Sequence, residues 1–380
     1  MKIGIFGGSF DPVHTEHVRM AASAIECLGL DKLFIVPAAV PPHKKGKRLA
    51  DDETRLRALE IAFSKVKKAE ISRYELEQKG TSYSYLTCRY FKGLYPDATL
   101  YFLVGTDMLR DFPSWRNPQD ILDNVTLAVC GRAEEAGWQE KERADFQRRF
   151  NKSFVAIEYE GKAVSSTEIR VLLSAGEKTD GLLDGEVEKY LMDEKVYEIP
   201  FAKEALALQS PKRKAHSLRV AKLAAERAPS LKVDERKAIA AALFHDCAKD
   251  LCEDSLLLDG FSLDEPVPAP VLHQFTGAYL AEKSFHITDG EILDAIRYHT
   301  SGRANMSTLE KLVYLADGLE AGRDYEGVDE LRRAFWSKDG LDACLKESLK
   351  RTLTRVKEKG QIPYHLTERA YEYYEKGVEN

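Results

Sequence analysis

The feature that most constrains this chain is a change of hydrophobic period about halfway along its 380 residues. Before residue 200, short apolar runs at Lys2–Phe6, Leu33–Pro37, Thr99–Val104, Val125–Cys130 and Phe154–Tyr159 alternate with helical patterns. Nearly continuous apolar runs of that length predict strands of a parallel sheet covered by helices on both faces. Beyond Phe201 the strand pattern stops. Amphipathic stretches at Ala215–Ala228, Glu235–Lys249, Thr276–Phe285, Glu291–Tyr298, Leu309–Leu319 and Leu341–Lys357 predict an all-helical second half. Pro200 and Ser210-Pro211 punctuate the junction. The expectation is two domains, an α/β domain over residues 1–200 and an all-α domain over 201–380. At roughly 150 residues per domain the length agrees.

Composition excludes several classes. With 44% hydrophobic residues the chain can build real cores, so it is not disordered or disulfide-stapled. A net charge of −6 argues against a nucleic-acid scaffold and against a polybasic membrane binder. No apolar run approaches the length of a membrane span. The start, MKIGIFGGSF, reads as a strand entering a glycine turn and not as a signal peptide. The six cysteines lack paired metal-site spacing, which fits free thiols in a reducing cytoplasm. The sequence is compatible with a homo-oligomer and does not decide it.

The first chemical motif is Gly4-Ile5-Phe6-Gly7-Gly8-Ser9-Phe10-Asp11-Pro12-Val13-His14-Thr15-Glu16-His17. A strand ends at Phe6, and Gly7 and Gly8 after it let the backbone approach a ligand closely and offer N–H groups to phosphate. His14 and His17 follow at a helix start, where the helix field also favours anions. A glycine pair alone fits a tight turn with surface histidines. A second segment, Val164-Ser165-Ser166-Thr167-Glu168-Ile169-Arg170, adds three hydroxyls and an arginine. Serine at a helix start is commonly an N-cap, but this set also suits a triphosphate tail. Neither Walker A nor G-x-G-x-x-G occurs, which disfavours a P-loop ATPase or an NAD dehydrogenase.

These residues resemble bacterial nicotinate mononucleotide adenylyltransferases over residues 1–200. Pro41-Pro42-His43-Lys44 is similar to that family's phosphate-binding lysine segment, and Phe102-Leu103-Val104-Gly105-Thr106-Asp107 to its F-x-x-G-x-D strand end. Trp115 falls where the tryptophan near the nicotinate ring is expected, Arg132 where an arginine follows the next strand, and Val187–Leu191 matches the closing helix. The resemblance implies a Rossmann-like sheet of nucleotidyltransferase type. It implies AMP transfer from ATP, with Mg²⁺, to nicotinate mononucleotide, giving nicotinate adenine dinucleotide and pyrophosphate in NAD biosynthesis. His17 and His14 take the catalytic role. Gly7, Gly8, Ser9, Phe10, Lys44, Gly105, Asp107, Trp115, Arg132, Ser165, Ser166, Thr167 and Arg170 bind the nucleotides. Related enzymes share the H-x-x-H part, so nicotinamide mononucleotide and pantetheine phosphate are alternative acceptors. Two positions depart from the pattern. Glu16 replaces the glycine of H-x-G-H, where it could repel ATP or point away. Leu86 replaces a carboxylate in Ser82-Tyr83-Ser84-Tyr85-Leu86-Thr87.

In the second half, His216, His245-Asp246, His273, His299 and Asp317 stand on predicted helices or helix edges. A single histidine on an apolar face is more often a satisfied core residue. Four of them with two aspartates fit a metal site built between facing helices. Six side chains exceed a tetrahedral zinc site. With Asp246 bridging two octahedral ions, about five coordination positions remain for water, hydroxide and phosphate oxygens. Nitrogen and oxygen ligands without cysteine suit two iron or manganese ions. These residues, with His299-Thr300-Ser301-Gly302-Arg303 and Leu315–Arg323, resemble HD-domain phosphohydrolases. They are most similar to the subgroup of symmetrical diadenosine tetraphosphate hydrolases of Gram-positive bacteria. That resemblance implies an HD-domain helical bundle, iron, and cleavage of diadenosine tetraphosphate to two ADP. Asp246 and Lys249 would serve catalysis, and Arg303 phosphate binding. Other nucleotides as substrates, or a nucleotide-sensing module without catalysis, are the alternatives. Elsewhere Asp51–Arg55 reads as a helix cap, Glu134–Arg149 as a solvated helix, and His286 and His365 have no assigned role.

Overall fold

Six strands, all parallel, form a sheet in the order β3-β2-β1-β4-β5-β6. They are β1 (Lys2–Gly8), β2 (Lys32–Pro37), β3 (Ala69–Ile71), β4 (Thr99–Gly105), β5 (Thr126–Arg132) and β6 (Val155–Tyr159). The computed structural model describes residues 1–41, 49–78, 80–132, 138–252 and 254–376, and of Arg132, Trp138 and Lys141 only the backbone. Five strands coincide with the predicted runs to within two residues at either end. The sixth, β3, was not expected. It is a three-residue edge strand paired with Leu33–Ile35 and too short to show a period.

The interior strands are buried on both faces, as helix-covered parallel strands should be: Ile3 and Ile5 of β1 and Leu33, Ile35 and Val36 of β2 are inaccessible. One face packs Phe34, Phe91, Phe102, Phe112 and Leu127 into an apolar cluster. The strand order reverses between β1 and β4, and in open parallel sheets ligands bind outside the carboxyl ends of the strands at that point. The residues standing there are Gly7-Gly8 at the end of β1 and Gly105 at the end of β4.

The second unit is helical, with a core dominated by Ala and Leu, much of it from the helices Pro211–Arg227, Glu235–Phe244, Ala269–Lys283, Gly290–Arg297, Thr308–Leu319 and Leu341–Glu358. Contacts divide the chain into Met1–Ile169 with Lys178–Tyr197, and Arg170–Glu177 with Glu198–Asn380. The segment Arg170–Glu177 belongs with the helices because Val171 and Ala175 lie in their apolar core. No helix among the described residues is long and apolar enough to cross a membrane.

Candidate active site and candidate metal centre

In the first unit the chain leaves β1 through the glycine pair and turns at Phe10, whose backbone adopts φ 44°. An aromatic residue rarely occupies this left-handed region. Here the ring is buried and packs edge-on against Phe6, with centroids 5.5 Å apart, and against His17 at 5.0 Å. The turn delivers His14 to the N-cap of the Thr15–Leu28 helix. His14 and His17 stack with ring centroids 3.6 Å apart. Burial pushes the His14 imidazole down to about 4, so it is neutral at pH 7, and two stacked cations are avoided. His17 Nδ1 accepts the backbone N–H of His14 at 3.2 Å. A neutral His17 ring then carries its proton on Nε2, as a donor.

Across the crevice, a Cβ at Gly105 would lie 2.6 Å from Asp107 Oδ1, so glycine there lets the carboxylate fold back over the end of β4. Trp115 packs on Phe112 at 5.4 Å and on Phe102 at 6.3 Å, and its indole N–H is buried without a hydrogen-bond partner among the described residues. Ser165 caps the Ser166–Ser174 helix, its Oγ accepting the Thr167 N–H at 3.2 Å, and Ser166 Oγ donates to the Pro12 carbonyl at 3.4 Å. Arg170 is corrected: it is buried and pairs with Glu235 at 2.6 Å, which gives its charge a protein partner in place of phosphate. Lys44 lies outside the described residues, as does the Arg132 side chain.

Glu16 does not stand in the crevice as a loose anion. It is buried, and its two oxygens take the Arg19 guanidinium at 2.9 Å and the Lys162 backbone N–H at 3.0 Å. Leu86 is 40% exposed, and a buried carboxylate reaches the same element from Glu75, bonded to Thr87. The sequence reading missed Arg55, treating its segment only as a cap. Its guanidinium is inaccessible and donates to the carbonyls of Ser9 (2.9 Å), Ala38 (2.8 Å) and Ala50 (3.1 Å), with Asp52 as counter-charge at 2.6 Å. It fixes the glycine turn against the end of β2. Nothing local in the sequence marks it, because its partners are backbone carbonyls.

In the helical unit His216, His273 and Asp317 come from the helices Pro211–Arg227, Ala269–Lys283 and Thr308–Leu319. The predicted Glu235–Lys249 helix ends earlier, at Phe244. His245 Nδ1 donates to the Ala242 carbonyl at 2.7 Å, the acceptor that residue 246 would need to continue the helix. The backbone then changes to three-residue spacing, Cys247 N–H to Phe244 and Lys249 N–H to Asp246, each at 3.1 Å. His245 and Asp246 therefore sit past the helix end, as His299 does after the Gly290–Arg297 helix. Lys249 still reaches the site, with Nζ 2.7 Å from His273 Nε2 and 3.9 Å from Asp246 Oδ1.

The imidazoles are oriented alike. His299 Nδ1 donates to the Ile296 carbonyl at 2.7 Å, and His216 Nδ1 lies 3.0 Å from Glu320 Oε1. With Nδ1 occupied on His216, His245 and His299, each ring turns the lone pair of Nε2 inward. There His216 Nε2 is 2.9 Å from Asp317 Oδ1, His245 Nε2 is 3.6 Å from Asp246 Oδ2, and His299 Nε2 is 3.5 Å from Asp246 Oδ1. His273 Nε2 joins at 3.3 Å from Asp246 Oδ1. Two overlapping triads, His216–His245–Asp317 and His245–Asp246–His299, have ligand atoms close enough for metal. His245 Nε2 is buried without a hydrogen-bond partner among the described residues, a costly state that a metal ion would relieve. The donor set fits a divalent metal.

Charge is tuned accordingly. Burial pushes His245 down to about 4 and, with its charged neighbours, His273 to about 2, so both rings are neutral at pH 7. Burial opposes ionisation of Asp246, but the His245 imidazole, cationic in the acid range where a carboxyl titrates, together with His299 and Lys249 outweighs it and holds the group below the usual carboxylate range. Burial likewise opposes Glu320, while His216 and Arg219 hold it down to about 2.

Four residues of this site carried no assignment from sequence: Arg213, Gln274, Glu320 and Arg323. Arg213 Nη1 meets Asp246 Oδ2 at 2.7 Å, and Arg323 Nη2 meets Asp317 Oδ1 at 2.6 Å. Buried Gln274 accepts the N–H groups of Thr300 (3.1 Å) and Ser301 (2.9 Å) and donates to Ser301 Oγ (2.9 Å), which shapes the turn after His299. Arg303 is corrected: Glu310 holds it at 2.6 Å and Asp294 at 3.0 Å, and its guanidinium covers the Tyr298 ring at 4.5 Å. Two carboxylates already neutralise it, so it braces this turn and is not a free phosphate ligand.

With both sites described, comparison with known proteins is direct. The cytidylyltransferase-like family profile matches residues 5–172 and the HD-domain profile matches residues 213–322. The chain thus joins a Rossmann-like nucleotidyltransferase domain to a helical HD domain. It is 34% identical, over 94% of its length and 99% of the relative's, to the probable nicotinate-nucleotide adenylyltransferase/Ap4A hydrolase of Mycoplasma genitalium. A Mycoplasma pneumoniae protein described in the same words is 28% identical over 91% of this chain and 97% of its own. A solved Clostridium acetobutylicum chain, titled a predicted HD superfamily hydrolase involved in NAD metabolism, is 37% identical over 46% of this chain and 95% of its own, with a TM-score of 0.43. The protein belongs to the nicotinate-nucleotide adenylyltransferase/Ap4A hydrolase family.

Proposed function

We propose that this protein is a bifunctional cytoplasmic enzyme. Residues 1–200 transfer AMP from ATP to nicotinate mononucleotide, and residues 201–380 hydrolyse diadenosine tetraphosphate symmetrically to two ADP. The observation that carries the reading is one chain, related over 94% of its length to a family member named for both activities, that has stacked His14 and His17 at the sheet's switch point and six inward-facing histidine and aspartate ligands in its helical unit.

In the first reaction an oxygen of the nicotinate mononucleotide phosphate attacks the α-phosphorus of ATP in line. The bond from that phosphorus to the bridging oxygen breaks, and pyrophosphate leaves. Two anions must be held together while charge builds on the α-phosphate, so positioning and charge neutralisation are the main tasks. His17 Nε2–H donates to the α-phosphate oxygen, and neutral His14 supports the ring by stacking. Gly7, Gly8, Ser9 and Phe10 lie along the phosphates. Gly105, Asp107 and Trp115 face the acceptor nucleotide, and the hydroxyls of Ser165, Ser166 and Thr167 bind phosphate; by the sequence resemblance Lys44 and Arg132 also bind the nucleotides. Mg²⁺ accompanies ATP.

In the second reaction His216, His245, Asp246, His273, His299 and Asp317 would hold two iron or manganese ions. Such ions polarise phosphate oxygens and acidify water. Lys249 supplies positive charge at the rim for the polyphosphate chain, while Arg213 and Arg323 are held by the carboxylates of Asp246 and Asp317 and brace them. Water oxygen joins one central phosphorus, the central bridging P–O bond breaks, and an ADP departs on each side.

Turnover of the purified full-length chain tests both halves: pyrophosphate release from ATP with a panel of mononucleotide acceptors, then ADP release from diadenosine tetraphosphate with added iron or manganese. No pyrophosphate with nicotinate mononucleotide would end the first reading. No bound metal and no hydrolysis would leave the helical unit a nucleotide-binding module.

A further inference from the structure

Of the two residues between His14 and His17, one, Glu16, has an acidity that looks wrong for its place. Glu16 is the second residue of the Thr15–Leu28 helix, one position before His17, where the helix field should serve phosphate. A free carboxylate there would compete with ATP. Instead the side chain is buried with both oxygens engaged, one by Arg19 at 2.9 Å and one by the Lys162 backbone N–H at 3.0 Å, 146 residues away. The approach is open only because residue 161 is glycine. A Cβ there would lie 2.3 Å from Glu16 Oε2 and 2.2 Å from the Tyr159 ring. Three residues beyond Lys162, Ser165 begins the hydroxyl segment, and Ser166 Oγ returns to the Pro12 carbonyl at 3.4 Å. On the same helix start, the N–H and the hydroxyl of Thr15 both reach the Leu182 carbonyl at 3.0 Å.

We infer that Glu16 is a positioning residue of the adenylyl-transfer site: its carboxylate straps the histidine-bearing helix start to the segment that leads into Ser165-Ser166-Thr167, and Gly161 is the counterpart that admits it. The inference rests on the adenylyltransferase reading above for its kinetic consequence, but not for its structural one. The strap keeps the two groups of candidate phosphate contacts at a set spacing. Its charge is neutralised by Arg19 and a backbone dipole, so it does not repel the nucleotide.

The test uses the full-length chain with Glu16→Gly, Glu16→Gln and Gly161→Ala. Amide hydrogen exchange is read on peptides containing Lys162, and steady-state kinetics with ATP and nicotinate mononucleotide. Glu16→Gly is expected to speed exchange at Lys162 and raise KM about ten-fold, the factor that a lost charge-assisted hydrogen bond of ordinary strength is worth, with kcat within about two-fold. Glu16→Gln keeps an acceptor oxygen and should retain near-parental exchange and KM. Gly161→Ala should reproduce the glycine variant's loss from the other side. Unchanged Lys162 exchange in Glu16→Gly overturns the strap. A Glu16→Gly enzyme with equal or higher kcat/KM overturns the positioning role and marks the carboxylate as an obstacle. If the parent shows no adenylyl transfer, the functional reading fails, and the exchange comparison still decides the strap.

Discussion

His216 illustrates how much of each site depends on a side chain that touches no substrate. Its Nδ1 faces Glu320, which in turn is held by Arg219 and the Gly322 N–H. A carboxylate behind a ligating imidazole fixes the tautomer and the ring direction. Glu320→Ala is therefore expected to weaken metal affinity about 10- to 100-fold, with Glu320→Gln intermediate, measured by competition with a metal indicator. In the other unit His17 depends on the His14 backbone N–H in the same way, since that bond leaves the donor on Nε2. His17→Ala should lower kcat for adenylyl transfer about a hundred- to a thousand-fold, the cost typical of removing one donor to a developing oxyanion. Near-parental turnover in that variant would place the donor elsewhere. His17 was a candidate from its motif and His216 only as one of four histidines with two aspartates. Glu320 lies within the quoted Leu315–Arg323 segment but drew no role, and Arg55 drew none because its partners are distant backbone carbonyls.

Elements set these side chains mainly by where they stop. The Glu235–Phe244 helix ends where His245 takes the Ala242 carbonyl, and the Gly290–Arg297 helix ends just before His299. Periodicity reads an apolar stretch through such an end, so the expected helix ran five residues too far, to Lys249. The turn after His299 is held by Gln274, a buried side chain that satisfies two backbone N–H groups and a hydroxyl. Gln274→Ala leaves those groups unpaired, at a cost of about 1–3 kcal/mol for each that water cannot reach. The helical unit's thermal transition should fall by several degrees, and a change below about 1 °C would show that the turn has other support. Strands were read more accurately because parallel strands buried on both faces leave a continuous apolar run. Only β3, at the sheet edge, had too few residues to leave one.

At the scale of the molecule, the chain buries unprotonated imidazoles in both of its units, His14 in one and His245 and His273 in the other. Their pKa values are lowered to about 4, 4 and 2 from an unfolded value of 6.5. Below pH 6.5 the unfolded chain binds protons that the folded chain refuses, so stability falls as pH drops toward 4, by up to ~1.4 kcal/mol per pH unit for each group. His216 is shifted upward, so its contribution grows as pH falls to 6.5 and is constant below; it opposes part of the loss above 6.5 and none of it below. Asp246 and Asp317 are shifted downward and lose theirs only below the ordinary carboxylate range. Thermal unfolding of chelator-treated protein should show a lower midpoint at pH 5 than at pH 7.5, with a shallower slope in His245→Gln. The sequence by itself determined the two-domain plan, the class of each domain and most of the candidate ligands, because hydrophobic period and short motifs are local properties of the chain. Only the tertiary structure decided which imidazole nitrogen faces inward, that Glu16 turns to Lys162, and that Arg170 and Arg303 are taken by carboxylates. Those outcomes depend on partners as far as 146 residues away, Glu16 to Lys162, and 104 residues away, His216 to Glu320, and on the cost of leaving a buried polar group unpaired.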